Sequence, residues 1–503
     1  MRMRRKENMK NVKNKSDEKG GALILVLILM LVISVMAASM MFLAQSETWA
    51  TANYRMMTQT RYAAETGIQA AANYLMFTYV PPDATTIGTY SYQTVSPVKL
   101  GNNPVMLSSI SGESAVYADS SVISQYANQT QGTLAAGNTT LNFSSDATML
   151  AMRQVKVFGK SQLQTVQTWL LKGRGSIAGV QNSQVEVTAI MERQVTPMFA
   201  YAAFAANSGC GALTFGGGAT TNSYDSSVPL VNGAVAAFSA SYGNVGTNGN
   251  LTELGTNTMI NGTLSTPRAG VGTCSSGSIT ALTGNLNQVS GGIVPLPQPI
   301  TYPTPDAPSP MPPTGALSLN NAACNYTGCA NIAAGEYSLA PGSSASPSLY
   351  PDVNIKGTVH LTAGVYNFNS LTLAGAGASG GILKIDSGPV IINIAGVGFS
   401  ANQAPVDLTG GSVFNPALIP SNLQILYGGT SLVKLTGGTN SSMLAYAPNA
   451  TGSITGGADF YGSMITNTIT DMGGAAIHYD RQLQKTLMNL GNWMLDSFTW
   501  SKF

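Results

Sequence analysis

Two histidines, four cysteines and a scatter of carboxylates are the residues of this 503-residue chain with chemistry to offer. Serine-type catalysis needs an imidazole base held by a carboxylate, and only His360 and His478 can supply one. His478 stands in "AAIHYDRQ", two residues before Asp480, with no nucleophile motif beside it, so it reads as a strand or turn residue. Glycoside hydrolysis needs two carboxyl groups about 5–10 Å apart. Glu336, Asp352, Asp386, Asp459, Asp471 and Asp480 qualify by type, but no spacing singles out a pair. "FGGGAT" (Phe215 to Thr220) lacks the lysine of a phosphate loop and is followed by no helix pattern, so it reads as a turn. No catalytic residue is assigned.

Neither histidine lies at ligand spacing from a cysteine pair, which argues against zinc. Asp459 and Asp471 belong to no calcium-loop ligand run. The expectation is therefore no metal and no cofactor. Cys210, Cys274, Cys324 and Cys329 form an even set, which permits two disulfides in three pairings if the chain leaves the cytoplasm. The Cys324–Cys329 spacing can close a small loop by itself.

The elements that would carry such residues start from an unusual composition. Charged residues make up 9% of the chain, against about 25% in typical soluble domains, and 55 glycines stand among many Ser, Thr, Asn and Ala. Eight of the 24 Lys and Arg lie in the first 20 residues with three of the 22 acids, so 16 basic and 19 acidic residues remain for the body. A near-neutral body offers nothing to neutralise phosphates, which excludes nucleic acid as a partner. The basic cluster reads instead as a cytoplasmic flank that orients a membrane segment.

From Gly20 to Ser46 there is no charge. The apolar run from Gly21 to Ala44 is about 36 Å of helix at about 1.5 Å per residue, enough to cross a bilayer core of about 30 Å. It is longer than the roughly 7–15 residues of a secretory signal core, although Ala37, Ala38 and Ser39 offer weak cleavage chemistry. The helical pattern continues. Met57, Ala64, Ile68, Ala71 and Leu75 fall on one face, until Pro81 and Pro82 end it. One continuous helix, apolar all round and then amphipathic, is predicted over 21–79. A plain anchor has no need of the second half.

A basic leader ending in glycine, an apolar helix start and the stretch "RYAAETGIQAAANYL" (Arg61 to Leu75), with Ala63, Ala64, Glu65 and Gly67 at its centre, resemble the PilX N-terminal family of type IV pilus assembly proteins. The layout is also similar to the minor pseudopilin K of type II secretion. The resemblance spans about residues 16–76. It implies cleavage by a prepilin peptidase after Gly20, or after Gly21, with the mature helix starting near Ala22. Most major pilins carry a glutamate at the fifth mature position; here Leu25 stands there, or Val26 with the later cut. That departure points to a minor, PilX-like subunit, partnered by other pilin or pseudopilin subunits. The helix physics agrees, because a uniformly apolar rod is equally dry in lipid and in a filament core, so little hydrophobic drive opposes transfer between them. A glutamate in that segment would be expensive in either setting unless paired.

Beyond the helix, a loop-rich part precedes alternating strands through "RQVKVFG", "TWLLKGRGSIAG" and "SQVEVTAIMERQ". From Thr196 onward, strand-like runs of three to six residues alternate with Gly-Gly, Asn-Gly and Gly-Thr corners. These suggest a β-solenoid, with a β-sandwich as the alternative. "PLPQPITYPTPDAPSPMPP" (Pro295 to Pro313) holds nine of the 24 prolines and reads as a stiff linker rather than a ligand for a proline-binding module. Leu483, Leu487, Leu490 and Met494 share a helical face and predict a terminal amphipathic cap. The predicted architecture is α+β, in this order: leader 1–20; pilin-like helix 21–79; small β-rich head 80–200; Gly/Asn-rich β segment 201–294; linker 295–313; β-solenoid-like domain 314–480; helix 481–503.

Function follows as an expectation. The first reading is a non-enzymatic minor pilin-like subunit acting in pilus assembly or at its tip. It sits in the inner membrane by one helix, N-terminus cytoplasmic, with the bulk outside facing a surface or glycan receptor. A membrane-tethered polysaccharide-binding or polysaccharide-cleaving β-helix protein is the alternative, and an envelope protein never built into a fibre is the third.

Overall fold

The computed structural model describes residues 19–502, apart from 84, 138, 161–162, 178–182, 321, 376–379, 438–440 and 458. Residues 1–18 of the expected leader lie outside the described residues. The rod expected from the sequence is a single helix, α1 (Lys19–Phe77). Its end is sealed where the Thr78 and Tyr79 amides both donate to the Tyr74 carbonyl, just before Pro81 and Pro82.

Half of α1 lies on an antiparallel sheet. Strands Thr139–Lys156, Leu163–Ile177 and Ser183–Pro197 pair in sequence order, and the short strands Met106–Ser108 and Gly132–Ala136 pair with the first of them. In Leu163–Ile177 the buried positions alternate through Gln167, Trp169, Leu171, Gly173, Gly175 and Ile177, the period of a strand with one covered face. That face meets Ala64, Ile68, Ala71 and Leu75 of α1, all buried.

The last strand of this sheet is Met488–Lys502, antiparallel to Ser183–Pro197 from Met488↔Pro197 to Lys502↔Val185. The amphipathic helix expected over 481–503 is therefore corrected. Only Leu483–Thr486 make a helical turn. The tail "NWMLDSFTWSK" carries three aromatic residues, which favour strands, and the edge of Ser183–Pro197 pairs with it.

Between Pro197 and Met488 the chain builds a second body of parallel ladders around one apolar core. One ladder stacks residues 348–350, 364–368, 390–394, 424–426, 444–446, 464–466, 203–205, 245–247, 264–266 and 293–295 in that spatial order. A second stacks 316–319, 352–355, 371–372, 406–407, 433–436, 452–454, 469–471, 213–216, 251–254 and 280–283. The third side is formed by 336–338, 358–361, 381–385 and 411–414, and farther on by 460–461, 476–480, 220–224 and 259–260.

This is not the simple solenoid expected over 314–480, in which each coil follows the last along the chain. The coils made last lie beneath the coils made first, and Leu213↔Ile469 and Ala203↔Met464 join them. Segment 201–294 belongs to the same closed body. The sandwich alternative is corrected as well, because the ladders are parallel. The proline-rich stretch makes the order work by running back along the outside of the body. Asn248 Nδ2 donates to the Ile300 carbonyl at 2.8 Å, Tyr446 Oη to that of Pro303, and Asn367 Nδ2 to that of Pro310 at 2.8 Å. It is a pinned strap more than a spacer.

Candidate functional site

The feature with the clearest function is α1. From Gly21 to Thr51 the side chains stand exposed, including Leu23, Leu27, Leu31, Val35 and Phe42. Its most apolar window has a mean hydropathy of 3.0, so the helix is long and apolar enough to cross a membrane. In the apolar run to Ala44 both hydroxyls are satisfied within the helix: Ser34 Oγ donates to Leu31 O at 2.8 Å and Ser39 Oγ to Val35 O at 2.8 Å. That local bonding keeps the surface effectively apolar, as lipid or a packed helix bundle requires.

The "AAETG" segment sits where rod meets sheet. Ala63 and Ala64 are fully buried, and Glu65 faces out, paired with Arg61 Nε at 2.8 Å. Gly67 has no room for a side chain; a Cβ there would lie 2.6 Å from the Ser144 carbonyl oxygen. Across the contact, a Cβ on Gly173 would lie 2.0 Å from Ala64 O, and one on Gly175 2.0 Å from Thr60 O. Sequence reasoning missed these two sheet glycines. The alternation in "KGRGS" was the available signal, since glycine inside a strand marks close backbone approach. Gly20 and Gly21 lie in the first turn of α1, and nothing lies within 4 Å of a Cβ on Gly21. Ala22 and Leu25 follow on the exposed rod.

The structure pairs Cys210 with Cys274 and Cys324 with Cys329. Of the other candidates, Glu336 and Asp386 meet at His360, and the rest lie in separate contacts. His360 Nδ1 lies 2.8 Å from Asp386 Oδ2, and its Nε2 3.7 Å from Glu336 Oε2. Asp352 Oδ1 accepts from Asn369 Nδ2 at 2.7 Å and Ser370 Oγ at 2.8 Å. Asp480 is buried and accepts from the Ser226 and Gln482 amides. His478 is held between Asp459 Oδ1, 3.0 Å from its Nε2, and Asn222 Oδ1, 2.5 Å from its Nδ1. Burial pushes its pKa down, against the pull of Asp459.

Two acids sit in the core itself. Asp471, Phe215 and Glu253 are successive in-register, inward positions of the second ladder, in a column that also holds Leu435 and Ile454. Asp471 Oδ2 and both carboxylate oxygens of Glu253 have no hydrogen-bond partner. Loss of water pushes each carboxyl up to about 7. The sequence singled out Asp471 by type and passed over Glu253. "LTEL" gives no local sign that its acid points inward, since the register comes from the neighbouring strand. Among the described residues no cluster of three or more metal-ligating side chains occurs.

Compared with known proteins, residues 19–69 match the family model described as PilX N-terminal, and residues 342–486 match a domain of unknown function, DUF7305. No curated protein matches the chain. Among solved structures, the competence-associated pilin ComZ from Thermus thermophilus matches at 13% identity over 89% of this chain and 98% of that chain. Its TM-score is 0.30, too loose a likeness to carry an argument. The exposed apolar rod, its tight seat on the sheet and the match over 19–69 meet in one element: the N-terminal helix is similar to the PilX N-terminal segment.

Proposed function

We propose that this protein is a minor pilin-like subunit of a type IV pilus or related filament. A prepilin peptidase removes the leader after Gly20, or after Gly21, and α1 holds the product in the inner membrane with its N-terminus cytoplasmic. The subunit then passes into a filament, or caps its tip, by exchanging lipid for the helices of other pilin subunits. The observation that carries the reading is the division of α1. Its first half is bare and apolar on every side, and its second half is locked to the head by backbone contacts that leave no slack. Leu25 at the fifth mature position supports a minor over a major subunit, because no carboxylate there demands a partner in the fibre.

The head, held outside, is the part free to meet a surface or a glycan. For the polysaccharide-cleaving alternative the fold brings together one carboxylate pair, Glu336 and Asp386, and both are engaged by His360, while Asp352, Asp459 and Asp480 are held in separate contacts. Mass spectrometry of the membrane-extracted protein tests the reading directly. The expected mature N-terminus is Gly21 or Ala22; a product starting near Ser39 or Gln45 would remove the rod and the proposal with it.

A further inference from the structure

Where neighbouring coils turn from the third ladder into the first within residues 261–263 or 386–389, the coil after Tyr224 inserts residues 225–244. This arm folds back as a hairpin. Val231 and Ala234 bridge around Asn232 and Gly233, whose φ values of 51° and 76° are those of a tight hairpin turn, and Ser239 bridges to Ser223. Leu230 and Val235 seat it against Tyr224, Leu418 and Tyr461. Asp225 is its only charge.

Two rings on the arm are each backed on one face and open on the other. Phe238 stacks on His478 with centroids 4.3 Å apart and planes 25° from parallel, yet is 45% exposed. Tyr242 is 54% exposed and lies under the Arg481 guanidinium, 5.9 Å from the ring centroid. Its φ of 61° is a left-handed conformation that an aromatic residue adopts only under constraint. Polar groups rim the rings. Asp459 is half-buried beside His478, and Asp225 is held by Gln482 Nε2 at 2.7 Å and by Arg481 at 3.8 Å.

We propose that this arm and its rim bind a neutral polysaccharide. Rigid rings with one free face match the flat C–H face of a pyranose, and carboxylates and a guanidinium at their edge match its hydroxyls. The near absence of charge on the arm argues against an acidic glycan. The inference deepens the proposed contact role of the head, but it is tested without the filament. The full chain in detergent micelles is titrated by calorimetry with neutral hexasaccharides of glucose, mannose, galactose and N-acetylglucosamine, with hexagalacturonate as the charged control.

At least one neutral sugar is expected to bind. Phe238→Leu, which keeps an apolar cover on His478, and Tyr242→Asn, which tolerates the left-handed backbone, are each expected to weaken binding about tenfold. The thermal midpoint should not move. Binding of hexagalacturonate alone, no binding by any neutral sugar, or undiminished affinity in the double variant each overturns the proposal. The mature N-terminus is read separately, so failure here leaves the pilin reading intact.

Discussion

Gly173 and Gly175 stand where a Cβ would run into the Ala64 and Thr60 carbonyl oxygens at 2.0 Å. Gly173→Val therefore has to push α1 off the sheet. An expected loss of about 1–3 kcal/mol should be visible in urea unfolding, whereas Gly88→Ala, with nothing within 4 Å, should change little. The core acids make a different prediction at the same scale. Glu253 and Asp471 titrate near 7 in the fold and near 4 when unfolded. The folded state thus holds extra protons between about pH 4 and 7. Stability from these sites is full below that window, declines as pH rises through it, and stays low above it. Comparing thermal midpoints at pH 5 and pH 8, the double variant Glu253→Gln, Asp471→Asn should lose part of the wild-type decline. An unchanged slope would mean the two carboxyls are hydrated.

At the scale of elements, α1 and the terminal strand invite opposite tests. Leu31→Arg places a charge in the middle of the bare half of the rod, at a cost of about 2.5–3.5 kcal/mol in a bilayer. The head does not touch that residue. The expected result is loss of the protein from carbonate-washed membranes with an unchanged thermal midpoint for the head; a falling midpoint would show that the rod is part of the head's fold. Ending the chain at Leu487 removes the strand that covers the edge of Ser183–Pro197. That truncation should leave the rod intact but lower the head's midpoint and promote aggregation through the newly open edge, measurable by light scattering on heating.

For the whole molecule, the decisive feature is the inverted order of the coils. The joint at Leu213↔Ile469 forms only when residues far apart in the chain meet, and the Pro295–Pro313 strap must span the body for that to happen. The Cys210–Cys274 bond ties a loop in the half that leads away from the joint, with a sequence separation of 64. Replacing both cysteines by serine is expected to destabilise the body by about 4 kcal/mol on loop-closure entropy. The Cys324–Cys329 pair, separated by 5, should matter less. Denaturation of the two double variants side by side checks the ranking.

What the sequence determined by itself was local in cause. The rod from Gly21, its end at Pro81 and Pro82, and the "AAETG" segment are written in composition and period over a few turns, because a helix bonds only to its own neighbours. The α+β class and the strand-rich head were legible for the same reason. Tertiary structure alone decided which strands are adjacent, that 201–294 and 314–480 make one body, that the strap is pinned, and that Met488–Lys502 extends a sheet instead of capping a coil. It also decided that Glu253 points inward, that Phe238 stacks on His478 and that Tyr242 lies under Arg481. A β ladder bonds to whatever strand lies beside it, and here that strand can be more than 250 residues away. No window along the chain holds that information.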